Sequence, residues 1–265
     1  MFQQILVVSL CTFVIHFTET LTYSLRLAGV RLSKLAVAIS LTGIILLISR
    51  TANMLQAPLT GKIVDFSKHS SEIDLVMQFR VILLFAAFGT FAALLLFPSA
   101  VFLAKRVIDQ LEAAGSLPQL LLSSASVQKI RSIRSHLRTP KMEMLSRLRV
   151  GGIPKRLVFL NIVVTAIYTV GVLAALLAST LNLETSTAAS QSSGLINGLA
   201  TILLAVLIDP QIGLLTDKVL RGEKEIAALD KVFGLLMISR LAGTLFAQLL
   251  LVPAAHWINF MVKWI

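Results

Sequence analysis

The chain has 265 residues, of which 56% are hydrophobic and only 14% are charged, and its formal net charge is +11. Soluble domains carry roughly 25% charged residues, so this composition excludes an ordinary soluble fold. The stretches 81–104, 157–183 and 185–208 contain no Asp, Glu, Lys or Arg. Each is long enough to cross a bilayer as a helix, and none has the short alternating pattern of a membrane β-barrel.

The hydropathy pattern predicts an all-α membrane protein with six transmembrane helices. The spans fall at 3–25, 36–57, 79–103, 157–179, 191–212 and 232–256. The N-terminus begins MFQQILVV without basic residues, which favours a first span over a cleaved signal peptide. No cofactor and no metal site is predicted.

The segment 105–156 determines the predicted orientation. It holds eleven Lys or Arg residues against three acidic ones, which gives +8 of the total +11. The positive-inside rule therefore places it in the cytoplasm and places both termini and the Glu184 loop outside. Apolar residues recur at helical spacing between its basic residues from 127 to 137, which is typical of a helix on anionic inner-leaflet lipids. A topology signal without further role explains the charge equally well, whereas nucleic-acid binding is disfavoured because the segment lacks aromatic residues.

Two motif pairs indicate an internal repeat. The pattern Pro-x-x-Gly-x-x-x-Asp occurs at 58–65 and again at 210–217, an offset of 152 residues. Gly-Thr pairs at 89–90 and 243–244 follow in the third and sixth spans. Three spans per half is an odd number, so the halves would cross the membrane in opposite directions, as in the inverted repeats of secondary transporters.

On this interpretation the chain divides into three segments. Residues 1–104 form the first three-helix repeat and residues 157–265 form the second. The basic cytoplasmic linker 105–156 joins them.

Arg50 lies deep inside the second span. An arginine at this depth costs at least ~2.5 kcal/mol on insertion scales, so it must face a partner, a cavity or a ligand. Asn53 and Gln56 follow at i+3 and i+6 and share roughly the same helix face.

The first span also has a polar face. His16, Glu19, Tyr23 and Arg26 follow each other at spacings of three, four and three residues. Glu19 is the single acidic residue in the first three spans and is therefore the expected partner of Arg50 or Arg26. His16 is interpreted as a hydrogen-bonded interior residue or as part of the site.

Further charges lie at or near the membrane in both halves. Arg240, about a third of the way into the sixth span, either extends to the inner headgroups or faces a cavity. Asp209 precedes Pro210, where it caps a helix end or joins the site.

Arginine suits a bidentate grip on phosphate. Arg26, Arg31 and Arg240 near the inner mouth, with Arg50 deeper, would form a stepped path for a phosphorylated lipid headgroup. Structural ion pairs and topology signals explain the same arginines equally well. The chain has no phosphate-binding glycine loop, HExxH or GxSxG motif, so it shows no catalytic constellation and no site for direct ATP coupling.

The runs LTYSLRLAGVR at 21–31 and SRTANMLQAPLTG at 49–61 resemble the Amj family of bacterial lipid II flippases. The resemblance implies movement of undecaprenyl-diphosphate-linked disaccharide-pentapeptide to the outer leaflet of the bacterial cytoplasmic membrane, for peptidoglycan synthesis. It also implies candidate functional residues within the two matching runs, namely Tyr23, Arg26, Arg31, Arg50, Asn53 and Gln56.

Two other functions remain open at the sequence level. Ser49-Arg50-Thr51 faintly resembles part of a membrane phosphatase acting on undecaprenyl diphosphate, but the paired glutamates of such enzymes are missing. A non-transporting cell-wall scaffold would be expected to carry a large soluble domain, which the sequence lacks.

Overall fold

The computed structural model describes residues 2–69, 74–115 and 155–264, and these are almost entirely helical. The helices are α1 (Phe2–Arg31), α2 (Leu35–Lys68), α3 (Leu75–Ala114), α4 (Lys155–Leu181), α5 (Ser186–Gln191), α6 (Ser193–Leu203), α7 (Asp209–Leu220) and α8 (Ile226–Val262), with a π-helical turn at Leu204–Ile208. Six segments are long and apolar enough to cross a membrane, which confirms the predicted multi-pass membrane protein. The amphipathic helix predicted around 127–137 lies outside the described residues.

The helices extend beyond the apolar stretches that predict them. Helix α2 continues to Lys68 instead of residue 57, and α3 continues to Ala114 instead of residue 103. With 40 residues α3 is about 60 Å long, twice the thickness of the hydrocarbon core. Its ends have local signals, since the Asp74 side chain accepts a hydrogen bond from the Met77 N–H and Gly115 adopts a left-handed φ of 71°.

Consecutive long helices run in opposite directions, so the bundle has two distinct ends, called faces here. At one face, which carries both chain termini and is called here the terminal face, Lys68 Nζ donates to Ser186 Oγ at 2.8 Å. At the other, called here the basic face, Arg31 forms a 2.7 Å salt bridge with Asp230. Lys34 bridges the α1–α2 loop to the end of α3 at this same face.

The two halves pack in the same way around their third helices. Helix α3 packs most extensively on α1, and α8 packs most extensively on α4. A Cβ atom at Gly89 would collide with the backbone carbonyl of Phe13, and one at Gly243 would lie 2.7 Å from the carbonyl oxygen of Ile162. Each glycine of the motif pair thus makes a close contact between the third and the first helix of its half, while the inverted repeat stays a prediction.

The fifth span, predicted at 191–212, occupies Ser186–Leu220 and is helical from Ser193 to Leu220, but a π turn at Leu204–Ile208 breaks its regular α-helical hydrogen bonding. This break follows from Pro210, which has no N–H and whose ring displaces the carbonyl of the residue four positions earlier. The chain widens into the π turn just before Asp209. This span is the least covered by the rest of the bundle, with 17% of its apolar window buried. It therefore presents most of its surface to lipid.

Candidate functional site

A cavity of about 370 Å³ lies between the two halves of the bundle. Helices α1, α2, α4 and α8 and the fifth span supply its walls, while α3 supplies none of the lining residues. The charged and amide lining residues are Glu19, Arg26, Arg50, Asn53, Asn161, Asp209 and Arg240. The site is therefore shared between the halves, as expected for a transporter built from two repeats.

The cavity occupies the part of the bundle nearer the basic face. Arg26 lies one turn and a half from the basic-face end of α1, and Asn161 lies a similar distance from that end of α4. Towards the terminal face the interior is instead filled by a cluster of buried apolar side chains that includes Phe79, Leu173 and Leu251. A second buried apolar cluster, which includes Ile108, Leu157 and Leu229, lies at the basic-face end, so the cavity is flanked by apolar packing on both sides and lies nearer the basic face.

The cavity opens sideways between α2 and the fifth span. Apart from the hydrogen bond between Lys68 and Ser186 at the terminal face, these two elements pack little against each other in the described part of the chain. Their lining residues Arg50 and Asn53 on α2, and Thr201 and Asp209 on the fifth span, are exposed. This opening, called here the lateral seam, connects the polar interior directly with the surrounding membrane.

A buried ion pair crosses the cavity wall. Arg240 Nη2 donates to Glu19 Oε2 at 2.5 Å, and Ser49 Oγ donates to Glu19 Oε1 at 3.1 Å. The two charged side chains are only 15% and 16% exposed. The prediction that Glu19 pairs with Arg50 or Arg26 is therefore wrong, because a partner 221 residues away in α8 takes its place.

Arg240 faces the cavity, which is one of the two alternatives that the sequence left open. It lies 14 residues, or about 21 Å, from the basic-face end of α8, which begins at Ile226. The ion pair with Glu19 favours this interpretation over the one in which Arg240 extends to the inner headgroups.

Two arginines of the cavity remain without a charged partner. Arg26, Arg50 and Arg240 against Glu19 and Asp209 leave a net charge of +1. Arg240 and Glu19 neutralise each other, whereas Arg26 and Arg50 form no salt bridge with any residue of the described ranges. Asp209 faces the cavity and makes no side-chain capping bond, so the predicted capping role is not what the structure shows.

Three predicted site residues do not line the cavity. Arg31 is held by Asp230 at the basic-face end of α1. Gln56 lies further along α2, and its Oε1 is buried without a hydrogen-bond partner among the described residues. His16 is buried about one turn from Glu19 towards the terminal face, and its Nδ1 has no hydrogen-bond partner among the described residues.

The cavity-lining residues of α4 were not predicted from the sequence. Asn161, Thr165 and Tyr168 all line the cavity. Asn161 is fixed by hydrogen bonds from its Nδ2 to the Leu236 carbonyl at 2.9 Å and to Ser239 Oγ at 2.7 Å. Asn161, Thr165 and Tyr168 are spaced at i, i+4 and i+7 in a charge-free span, and this spacing is the signal that could have revealed the polar face of α4.

Comparison with known proteins shows a match over nearly the whole chain. A family model described as "Amj: Alternate to MurJ" matches residues 11–262. The lipid II flippase Amj of Bacillus subtilis (strain 168) is 38% identical over 262 residues, which cover 98% of this chain and 97% of that protein. No solved structure matches.

Proposed function

The chain belongs to the Amj family, and on that premise we propose that it is a lipid II flippase, a transporter and not an enzyme. Its cargo would be the undecaprenyl-diphosphate-linked peptidoglycan precursor. Transport would run from the cytoplasmic to the outer leaflet of the bacterial cytoplasmic membrane.

The observation that carries this proposal is a cationic cavity that opens sideways into lipid. A diphosphate bears more than one negative charge, and the planar guanidinium groups of Arg26 and Arg50 suit a bidentate grip on its oxygens. The lateral seam lets the prenyl chain stay among the lipid tails while the headgroup enters the cavity. Asn53, Asn161 and Tyr168 would offer hydrogen bonds to the polar part of the same headgroup.

The charge distribution supports an inward-facing arrangement. The positive-inside rule assigns the basic face to the cytoplasm, since Arg31, Lys34 and the +8 segment 105–156 lie on that side of the predicted topology. The cavity then lies nearer the leaflet in which the precursor is made. Anionic inner-leaflet lipids would be attracted to the same face.

Arg50 provides the test. In liposomes with purified protein and lipid II, we expect Arg50→Ala to lose most headgroup translocation, because the deepest unpaired charge of the cavity is gone. Arg50→Lys should retain part of it, since charge remains but the planar fork does not. Translocation is measured as accessibility of the lipid II headgroup to an external modifying enzyme.

The matched control is Arg80→Ala. Arg80 is an exposed arginine of α3 that does not line the cavity, so its loss should leave translocation unchanged. A folded Arg50→Ala protein that translocates lipid II at the wild-type rate would refute the proposed role of the cavity.

A further inference from the structure

A carboxylate of the protein pairs with the buried guanidinium group of Arg240 in the cavity wall. Glu19 presents one oxygen to Arg240 of α8 and the other to Ser49 of α2. A single anionic group thereby joins three helices from both halves. A phosphate group has the same kind of oxygens and could make the same two contacts.

Arg240 still has unused hydrogen-bonding capacity. A guanidinium group has five N–H donors in a fixed fork. Its Nε–H is buried and has no acceptor among the residues that the structure describes. Glu19 therefore does not satisfy all the hydrogen-bond donors of Arg240, and this favours a ligand with more acceptor oxygens.

The pair is one of two salt bridges that join α1 and α8 in the described residues. The same two helices are also joined at the basic face by Arg31 and Asp230. The Glu19–Arg240 pair lies instead on the cavity wall, which Tyr168 and Arg50 also line, and Tyr168 is close enough to interact electrostatically with both partners. The pair is therefore placed to contact a ligand in the cavity, unlike the salt bridge at the basic face.

We propose that Glu19 is an internal competitor of the lipid diphosphate for Arg240, an inference that rests on the proposed flippase function. When the diphosphate enters, its oxygens replace the Glu19 carboxylate on the guanidinium group. When the headgroup reaches the other leaflet, the salt bridge between Glu19 and Arg240 forms again. The competition lowers the affinity for the lipid and accelerates its release.

The alternative is that Glu19 only neutralises Arg240 for folding. Both roles predict that removing the carboxylate lowers the stability of the protein without lipid, because a buried charge loses its partner. They differ in their effect on the ligand. Loss of a competitor strengthens lipid binding even when the net charge of the cavity is kept, as in Glu19→Asp, whereas loss of a purely structural partner strengthens it only through the added positive charge.

The test uses Glu19→Gln in the full-length protein. Glutamine keeps the shape of the side chain and removes the charge. We expect lipid II to bind about tenfold more tightly in detergent solution, with a larger lipid-dependent rise in melting temperature. In liposomes, the apparent KM for lipid II and the maximal translocation rate should both fall, because release becomes slow.

Asp230→Asn is the matched control. It removes a carboxylate from the other salt bridge between α1 and α8, which lies outside the cavity. Its affinity for lipid II should stay at the wild-type value. A similar tightening in this variant would show a general effect of loosening the two helices and would overturn the proposal.

A folded Glu19→Gln protein with unchanged or weaker lipid II binding would also overturn the proposal. Should this variant fail to fold, Glu19→Asp provides the same test, because it retains the charge but withdraws it from Arg240 by one methylene. Tighter binding is again the expected result, and unchanged binding contradicts the competition. If the wild-type protein itself neither binds nor moves lipid II, the proposed function is wrong and the competition falls with it.

Discussion

Gly243 of α8 lies directly against the backbone carbonyl of Ile162 in α4, so that a Cβ atom at position 243 would be 2.7 Å from that oxygen. A backbone atom inside a packed helix cannot move aside as the end of a flexible side chain can. The close approach of these two helices therefore depends on the absence of a side chain at this position.

The first prediction follows from this contact. Gly243→Ala should lower the free energy of unfolding by about 1–3 kcal/mol, because the added methyl group overpacks the α4–α8 interface. Gly213→Ala is the control, since a Cβ atom there meets nothing within 4 Å and alanine favours a helix by about 1 kcal/mol. Thermal unfolding in detergent measures both, and equal melting temperatures would contradict the prediction.

The second prediction concerns topology. Single cysteines replacing the exposed Glu184 and Glu223, in a Cys11→Ser background, should react from opposite sides of the membrane. A membrane-impermeant thiol reagent applied to intact cells should label position 184 at once and position 223 only after permeabilisation, because the basic face is assigned to the cytoplasm. Labelling of both positions from one side would refute the alternating arrangement of the helices.

The third prediction concerns the lateral seam. Cysteines replacing Asn53 and Thr201 would lie on its opposite walls. Joining them with a bifunctional thiol reagent should abolish lipid II translocation, because the headgroup can no longer pass between α2 and the fifth span. Each single-cysteine protein treated with the same reagent is the control, and lipid II should slow the cross-linking. Full transport after complete cross-linking would exclude the seam as the route.

The fourth prediction concerns pH and the cluster at the basic face. Hydrogen bonds to Glu112 and Asp109 raise the pKa of Lys34 above its ordinary value of 10.5. A raised lysine pKa stabilises the fold fully below the unfolded value and loses this effect as the pH rises through the folded value. Lys34→Gln should therefore lower the melting temperature at neutral pH but not at strongly alkaline pH.

The control for this measurement is Lys224→Gln, which replaces an exposed lysine that has no salt bridge to a described residue. It should leave the melting temperature unchanged at every pH. A Lys34→Gln effect of the same size on both sides of the raised pKa would show that the charge of Lys34 is not its cause.

Hydropathy was sufficient to predict the six spans but not their ends or the break in the fifth. The apolar pattern stops where the helix leaves the membrane, so it could not reveal that α3 continues to Ala114. Pro210 was visible in the sequence, but the π turn before it depends on how the chain accommodates a missing N–H.

The charged part of the site was predictable and its pairing was not. Arg50 and Arg26 do line the cavity, and for Arg50 the reason was its depth in the second span, where an arginine must avoid lipid. The partner of Glu19 depends on how α1 meets α8, which no local spacing encodes. Tyr168 was missed because an uncharged polar residue in an apolar span is too common to stand out without the geometry of its neighbours.

The position of the lateral seam determines which concentration of the ligand governs its binding. A ligand that enters between α2 and the fifth span arrives by diffusion within one leaflet, so the encounter takes place in two dimensions. Its occupancy then depends on the mole fraction of the ligand among the surrounding lipids and not on its amount in the surrounding solution. Detergent and bulk lipid tails share the same entrance, so changing the lipid-to-protein ratio at constant total ligand will shift the apparent Kd.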